Sequence, residues 1–243
     1  MSDFAGALRE RLPVARRSYD LPKRTGLVIV DAVNGFCTPG AGPLAPIAPD
    51  AAIDGMLSEI AALARRFLDE QRPVLALCDT HEPGRPEPPY PPHCERGTGQ
   101  EKLAPALSFL ERKPGARIVE KDVIDGYVGT TLADGSNILV EWIRAAELES
   151  VMITGICTDI CDLDLVSTLL SARNHYMGGR PMLGPLKDVV LYEPGCATYD
   201  LAGDVAAKLG LPETAAHPQA ETHHIGLYVM QARGAVIADR LRG

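Results

Sequence analysis

The chain alternates between short apolar runs and longer segments with helical periodicity. Apolar runs of strand length, rich in β-branched residues, lie at 26–31, 74–79, 116–121, 150–155 and 188–193, with a weaker run at 235–239. Helical patterns cover 51–70, 137–148, 159–174 and 221–231. Nearly continuous apolar strands that alternate with helices are typical of a parallel sheet buried on both faces. We therefore predict an α/β fold, a three-layer sandwich around a mainly parallel sheet of five or six strands.

Length and composition narrow the class of protein. The 243 residues show no repeat and no linker, which favours one domain over 1–243 with an N-terminal extension or helix at 1–24. No apolar run approaches the ~20 residues of a membrane span, and a net charge of -8 without a basic block disfavours nucleic acid. The N-terminus lacks the apolar core of a signal peptide. We expect a cytoplasmic protein that binds neither membrane nor nucleic acid.

Polar side chains stand at the ends of the predicted strands. Asp31, Asp79 and Lys121 are the last residues of three apolar runs, and Cys157 and Cys161 follow the fourth. In open parallel sheets, ligands bind outside the carboxyl ends of the strands. A single strand-end aspartate more often caps the next helix or turn. A carboxylate, an amine and a thiol together indicate a reactive site at one edge of the sheet.

Cys161 is the candidate nucleophile. If Thr158 or Asp159 caps the following helix, the thiol lies in its first turn, where free N–H groups and the macrodipole favour a thiolate. A nearby Lys121 is expected to lower the thiol pKa further. With Asp31 to move protons and turn N–H groups to hold an oxyanion, the arrangement indicates acyl transfer.

The remaining cysteines and the C-terminal histidines are weighed against simpler roles. A disulfide between Cys157 and Cys161, in a non-enzymatic thiol-redox or metal-binding protein, is the alternative from a different class, although the spacing is not CxxC. Four cysteines are predicted to be buried apolar residues: Cys37, Cys78, Cys94 and Cys196. Three histidines in a C-terminal helical pattern are predicted to be structural: His217, His223 and His224.

A possible metal site follows the second predicted strand. Asp79 and His81 alternate on an extended segment and so share a face, and the proline-rich loop after them carries Glu87 and His93. Two imidazoles and carboxylates are a common ligand set for zinc, manganese or iron. On spacing alone, a hydrogen-bonded loop histidine is an equal alternative.

Several segments together carry a resemblance to a known family. They are GLVIVDAVNGFCTPG, DTHEPGRPEPPYPPHC, KDVIDGYVG, GICTDIC followed by SARNH, CATYDL, and AHPQ followed by HHIGLY. The chain resembles the plant-type nicotinamidases of the isochorismatase-like cysteine hydrolase superfamily, from about residue 26 to the C-terminal helix. The resemblance implies an isochorismatase-like fold and hydrolysis of nicotinamide to nicotinate and ammonia through a cysteine thioester, in NAD salvage.

The resemblance also implies specific roles for residues at the strand ends. The catalytic aspartate, lysine and cysteine fall on Asp31, Lys121 and Cys161. A non-proline cis peptide bond is expected between Ile156 and Cys157, with the N–H groups of Cys157 and Cys161 forming the oxyanion hole.

The same resemblance assigns the metal site. It implies one divalent ion, zinc first and iron or manganese as alternatives, on Asp79, His81 and His93, where it binds the pyridine nitrogen. The fourth ligand varies among relatives. We favour Glu87 over Glu82, because Glu82 directly follows a ligand and on an extended chain points the other way.

Aromatic residues complete the expected substrate pocket. Phe36 and Tyr90 match ring-packing aromatics of relatives, with core packing as an equal alternative for Phe36, and Tyr127 is a further candidate for the lining. The competing enzymatic reading is another small-amide or carbamoyl hydrolase of the same superfamily, most of which lack the Asp-x-His and PPH ligands. The partners expected are a small-molecule substrate and further copies of the chain in a homo-oligomer.

Overall fold

A seven-stranded parallel sheet organises the chain in the computed structural model, which describes residues 4–85, 87–208 and 210–242. Two short strands pair separately as an antiparallel hairpin, β6 with β7. The strands are β1 (Arg17–Asp20), β2 (Thr25–Val30), β3 (Val74–Asp79), β4 (Ala116–Lys121), β5 (Ser150–Ile156), β6 (Tyr176–Met177), β7 (Arg180–Pro181), β8 (Asp188–Ala197) and β9 (Val236–Arg242). The order in the large sheet is β1-β9-β8-β5-β2-β3-β4, and every neighbouring pair is parallel.

The predicted fold class is confirmed, but the sheet has one strand more than the five or six expected. The extra strand is β1, whose sequence RSYD has a single buried residue, Tyr19, and no apolar run. β1 belongs to the sheet because it pairs with β9, and its own sequence pattern does not mark it as a strand. Of the segment 1–24, residues 1–3 lie outside the described residues, and the rest holds a helix and β1.

The predicted helices lie close to their expected positions. The helices are α1 (Phe4–Arg11), α2 (Asn34–Cys37), α3 (Ala51–Asp69), α4 (Gly126–Gly129), α5 (Ile138–Ala145), α6 (Cys161–Asn174), α7 (Gly203–Lys208) and α8 (Gln219–Ala232), with 3₁₀ helices at Pro105–Arg112 and Glu213–Ala215. Side-chain caps start three of them, Asp50 at α3, Asp125 at α4 and Asn137 at α5. Among the described residues, no helix combines the length and apolarity that crossing a membrane requires.

Helices cover both faces of the sheet because the central strands are apolar on both. In β2 all six residues are buried, with Val28 and Val30 on one face and Leu27 and Ile29 on the other. Helices α5, α6 and α8 pack on the first face, and α3 with the longer 3₁₀ helix packs on the second. The three predicted layers are therefore present.

The strand order places a crevice between β2 and β5. The chain runs outward from β2 through β3 to β4, then returns to β5 on the other side of β2 and continues through β8 and β9. At such a switch point the loops after the two strands diverge and leave room for a ligand. Asp31 follows β2 and Cys161 follows β5, so the base candidate and the nucleophile candidate flank this crevice.

Candidate active site

A buried lysine joins two carboxylates at the carboxyl edge of the sheet. Lys121, the last residue of β4, places its Nζ 2.8 Å from Oδ2 of Asp31 and 3.4 Å from Oδ1 of Asp79. The ammonium group also donates a hydrogen bond of 2.8 Å to the carbonyl of Val123. The side chains of both Lys121 and Asp31 are fully buried. The three strand-end residues are therefore brought together as one ionic group.

Asp31 is buried in a conformation that leaves its carboxylate available. Its φ of 51° lies in the left-handed region, which aspartate tolerates better than most residues. Burial raises the pKa of Asp31 to about 6, and the charge of Lys121 limits the rise. Within the described residues neither of its oxygens has a well-directed hydrogen bond, although Lys121 lies at ion-pair distance. An ionised oxygen with no directed donor is suited to accept a proton.

The thiol of Cys161 is protonated at neutral pH. Cys161 is the first residue of α6 and 9% exposed, and burial together with the charge of Asp31 raises its pKa well above the usual value. Lys121 opposes this rise, as the sequence suggested, but does not outweigh burial. The expectation of a lowered thiol pKa is therefore wrong, because desolvation penalises the thiolate more than one nearby cation favours it. Forming the thiolate requires the adjacent base.

The turn before α6 has two backbone N–H groups that its own hydrogen bonds do not use. The peptide bond between Ile156 and Cys157 is cis, as expected. The N–H groups of Ile160 and Asp162 both bind the carbonyl of Cys157, at 3.0 and 3.2 Å. This pattern leaves the N–H groups of Cys157 and Cys161 without a partner within the turn. They are the two donors that the sequence analysis assigned to the oxyanion hole.

The predicted side-chain cap of α6 is absent. The N-cap residue is Ile160, and neither Thr158 nor Asp159 binds an N–H group of the first helical turn. Thr158 binds Ala197, the last residue of β8, and His223. Asp159 binds Thr198 and His217. His217 precedes α8 and is not part of a helix, contrary to the sequence pattern. No motif spacing signals these contacts, because the partners are far apart in the chain.

Gly155 fits the close approach of β2 and β5. It pairs with Val30, the residue before Asp31, and has a φ of 141°. A Cβ atom here would collide with the backbone carbonyl of Val30. Glycine therefore allows the strand that precedes the thiol to lie against the strand that precedes the base.

Four side chains next to this group form a candidate metal site. Each side chain offers one ligand atom, and these atoms all lie within 4.8 Å of one another: they belong to Asp79, His81, Glu87 and His93. Asp79 Oδ2 is 3.2 Å from His81 Nε2 and 3.1 Å from His93 Nε2, and Glu87 Oε2 is 3.6 and 3.7 Å from the same nitrogens. Ligands about 2.0–2.1 Å from a tetrahedral zinc ion are about 3.3–3.4 Å apart. The donor set fits a four-coordinate divalent ion.

Neighbouring groups orient the ligands and decide between the two glutamates. His93 Nδ1 binds a loop carbonyl at 2.8 Å, which directs Nε2 into the site. The N–H group of Ile124 donates to Glu87 Oε1 at 2.8 Å and leaves Oε2 for the site. Glu82 instead pairs with Arg96 at 2.8 Å on the surface. The structure therefore places Glu87, and not Glu82, beside the other three candidates.

Asp79 is anionic in this setting. Burial would raise its pKa, but hydrogen bonds from His81 and His93 and the charge of Lys121 outweigh burial and lower the pKa below the usual value. Because Lys121 contacts both Asp79 and Asp31, the metal candidates and the catalytic candidates are neighbours.

Two of the predicted aromatic residues lie beside the metal-ligand group. The ring of Phe36 is 5.6 Å from the ring of His93, and the ring of Tyr90 is 6.0 Å from it. Burial raises the pKa of Tyr90 to about 12, with further contributions from Cys161 and Cys157. Tyr90 therefore lies within electrostatic reach of the thiol as well as beside the imidazoles.

Tyr127, the third aromatic candidate for the pocket, lies in α4 and stays a prediction. Its hydroxyl lies 3.8 Å from the sulfur of Met182, and its ring packs on the apolar cluster under α5 and α6. The sequence analysis did not single out Tyr199, whose pKa is raised by burial and by Cys157 and Tyr90. Tyr199 is thus a further aromatic residue close to Cys157 and Tyr90.

All six cysteines are free thiols. The four predicted to be buried are buried, namely Cys37, Cys78, Cys94 and Cys196. Cys157 and Cys161 are not bonded to each other, so the arrangement of the alternative redox reading is not the one present.

Comparisons with known proteins agree with this geometry. A family model described as an isochorismatase domain matches residues 25–239. Nicotinamidase 1 of Arabidopsis thaliana is 45% identical over 237 residues, covering 96% of this chain and 94% of that protein. A nicotinamidase structure from Bacillus subtilis superposes with a TM-score of 0.64 at 19% identity, covering 89% of this chain and 99% of that one. The Pyrococcus horikoshii pyrazinamidase, solved in complex with zinc, gives 0.61 at 18% identity, covering 88% and 98%.

Proposed function

The chain belongs to the isochorismatase family, and from this premise we propose that it is a nicotinamidase that hydrolyses nicotinamide to nicotinate and ammonia in NAD salvage. One observation carries the proposal. Lys121 contacts both the carboxylate beside the thiol and a carboxylate of the metal-ligand group. A small amide that carries a ring nitrogen can therefore meet both groups at once.

Binding is assigned to the metal-ligand group and the two aromatic rings. Asp79, His81, Glu87 and His93 would hold one divalent ion, zinc, which when bound supplies a Lewis-acidic position for the pyridine nitrogen. Zinc is favoured because imidazole and carboxylate groups are zinc ligands and because the related pyrazinamidase was solved in complex with zinc. Phe36 and Tyr90 enclose the ring. Holding the ring fixes the carboxamide carbon against the sulfur of Cys161, a proximity effect that removes much of the barrier.

The first half of the reaction transfers the acyl group to Cys161. Asp31 accepts the thiol proton, and the sulfur attacks the carboxamide carbon. The N–H groups of Cys157 and Cys161 donate to the resulting oxyanion. When the tetrahedral intermediate collapses, Asp31 returns the proton to the nitrogen, ammonia leaves, and a nicotinoyl thioester remains on the sulfur.

The second half restores the enzyme. Asp31 takes a proton from water, the water oxygen attacks the thioester carbon, and the same N–H groups hold the second oxyanion. Collapse breaks the carbon–sulfur bond, Cys161 regains its proton from Asp31, and nicotinate leaves. Lys121 favours the ionised form of Asp31 at the stages where a base is needed.

Ammonia release from nicotinamide tests the proposal directly. We expect the purified, metal-analysed protein to release one ammonia and one nicotinate per nicotinamide, measured by a coupled ammonia assay and chromatography. A carbamoyl compound supplied in parallel serves as the comparison substrate. If the carbamoyl compound is hydrolysed and nicotinamide is not, the protein is a carbamoyl hydrolase of the same superfamily and the nicotinamidase proposal is wrong.

Loss of one metal-ligand side chain should empty the metal site. In His81→Ala we expect metal affinity to fall by about 100-fold or more and the KM for nicotinamide to rise by about tenfold or more. Inductively coupled plasma mass spectrometry on dialysed protein measures the first effect. Glu82→Ala is the matched control, since Glu82 is adjacent but pairs with Arg96. Full metal content in His81→Ala would contradict the ligand assignment.

The cellular location and the oligomeric state of the enzyme are part of the same proposal. A cytoplasmic location agrees with six free thiols, since that compartment keeps cysteines reduced. A homo-oligomer stays a prediction, which light scattering coupled to size-exclusion chromatography checks.

A further inference from the structure

The turn that carries the two oxyanion donors is held from outside by its own side chains. Thr158 donates a hydrogen bond of 3.0 Å from Oγ1 to the carbonyl of Ala197, and its N–H group donates to the same carbonyl at 2.9 Å. Thr158 Oγ1 also lies 2.9 Å from His223 Nδ1. The last residue of β8 and helix α8 thus both bind the residue that follows Cys157.

Asp159, the next residue of the turn, is held in the same way. Its Oδ1 accepts a hydrogen bond of 2.7 Å from Thr198 Oγ1, and its Oδ2 lies 2.8 Å from His217 Nε2. The other ring nitrogen of His217 lies 2.9 Å from the carbonyl of Tyr199. A carboxylate and a carbonyl only accept hydrogen bonds, so both ring nitrogens of His217 donate and the imidazole is a cation. Asp159 and His217 therefore form a largely buried ion pair.

His217 is itself fixed from three sides. The ring of Tyr199 stacks on it, with centroids 3.9 Å apart and planes 13° apart. The backbone of His217 exchanges two hydrogen bonds with Leu201, at 2.7 and 2.9 Å. Only 8% of the residue is exposed. The cation that binds Asp159 is therefore immobile relative to β8 and the segment after it.

Helix α8 also touches the turn at backbone distance. A Cβ atom on Gly226 would lie 2.9 Å from the Cα of Asp159 and 3.0 Å from the carbonyl oxygen of Thr158. Glycine at this position lets the helix lie directly against the turn. The C-terminal segment thus fixes the turn through ionic, hydrogen-bond and packing contacts.

We propose that His217, acting through Asp159, is a positioning residue that holds the N–H groups of Cys157 and Cys161 in line with the reacting carbonyl. This inference rests on the proposed amide hydrolysis. The turn lacks a side-chain cap of its own, because Asp159 and Thr158 bind outward instead of toward α6. Without His217, Asp159 keeps a buried charge that has lost its cationic partner, and the turn relaxes to solvate it. The substrate ring is held elsewhere, so its binding is unaffected.

Steady-state kinetics of His217→Ala test this role. We expect kcat to fall by about 10- to 100-fold, because misaligned oxyanion donors stabilise the transition state less, while KM stays within about threefold. His224→Ala is the matched control. His224 is 2% exposed, and its hydrogen bond of 2.8 Å is to the carbonyl of Leu12, in the N-terminal segment and not in the turn. Its loss should lower the melting temperature yet leave kcat within about twofold.

A conservative variant separates positioning from general stability. In His217→Gln the side-chain amide nitrogen takes the place of Nε2 and can donate to Asp159, so we expect kcat to recover to within about tenfold of the wild type. Hydrogen exchange followed by mass spectrometry should show faster exchange in a peptide covering 155–164 in His217→Ala, and wild-type exchange there in His224→Ala.

The kinetic and exchange results together decide whether His217 positions the turn. Wild-type kcat and unchanged exchange in His217→Ala, or equal losses of kcat in both alanine variants, would overturn the positioning role. If the wild type itself releases no ammonia from nicotinamide, the proposed function fails separately. The exchange of the 155–164 peptide then still decides whether His217 holds the turn, since it needs no substrate.

Discussion

Replacing Cys161 by alanine should abolish ammonia release from nicotinamide, lowering kcat by roughly 10⁴- to 10⁶-fold. The variant removes the protein atom that forms a bond to the substrate carbon, and water has no activated route to the amide in its place. The fold should persist, because the side chain loses one sulfur atom at the edge of the core. A coupled ammonia assay measures the loss, and circular dichroism against temperature checks folding.

Cys157→Ala is the control for this prediction. Its backbone N–H group remains, so the oxyanion hole keeps both donors and kcat should stay within about tenfold of the wild type. With the wild type, acid quenching during turnover should trap a nicotinoyl group on the peptide that contains Cys161. Turnover retained in Cys161→Ala, or a label on the Cys157 thiol, would remove Cys161 from the mechanism.

Asp31→Asn should lower kcat by about 10²- to 10⁴-fold. The amide of asparagine has nearly the shape of the carboxylate but can neither protonate the departing ammonia nor deprotonate the attacking water. Both half-reactions therefore slow. Asp188→Asn is a matched change at the start of β8, on the opposite edge of the sheet, where Asp188 accepts a hydrogen bond of 2.9 Å from Tyr19. It should leave kcat unchanged, and comparable losses in the two variants would argue against a special role for Asp31.

The pH profile gives this prediction a second readout. Burial raises the pKa of Asp31 to about 6, and only the ionised form accepts the thiol proton. The value of kcat/KM for metal-loaded enzyme should therefore be highest above about pH 6 and fall about tenfold for each pH unit below it. Asp31→Asn should lack this limb. A wild-type profile that stays flat well below pH 6 would show that another group is the base.

The hydrophobic pattern was sufficient for most of the fold because it is a local signal. Each central strand is buried on both faces, so an apolar run marks it without reference to its neighbours. The sequence pattern did not predict β1, because its four residues are mostly polar and its place in the sheet depends on pairing with β9. A strand defined by its partner has no pattern of its own.

The chemical groups that meet at the edge of the sheet follow from the sequence alone. Parallel strands end at a common edge, so Asp31, Asp79 and Lys121 had to converge there, and the turn after β5 had to bring Cys161 beside them. The family resemblance predicted the metal ligands and the cis peptide bond, and the structure has both at the predicted residues.

The electrostatics of the site and the contacts that support it depend on the tertiary structure. The thiol pKa is raised because burial costs the thiolate its hydration, an effect that depends on every layer packed above it. The pairing of Asp159 with His217 joins residues 58 positions apart. Solvation and long-range contacts are properties of the assembled layers, and no short stretch of sequence contains them.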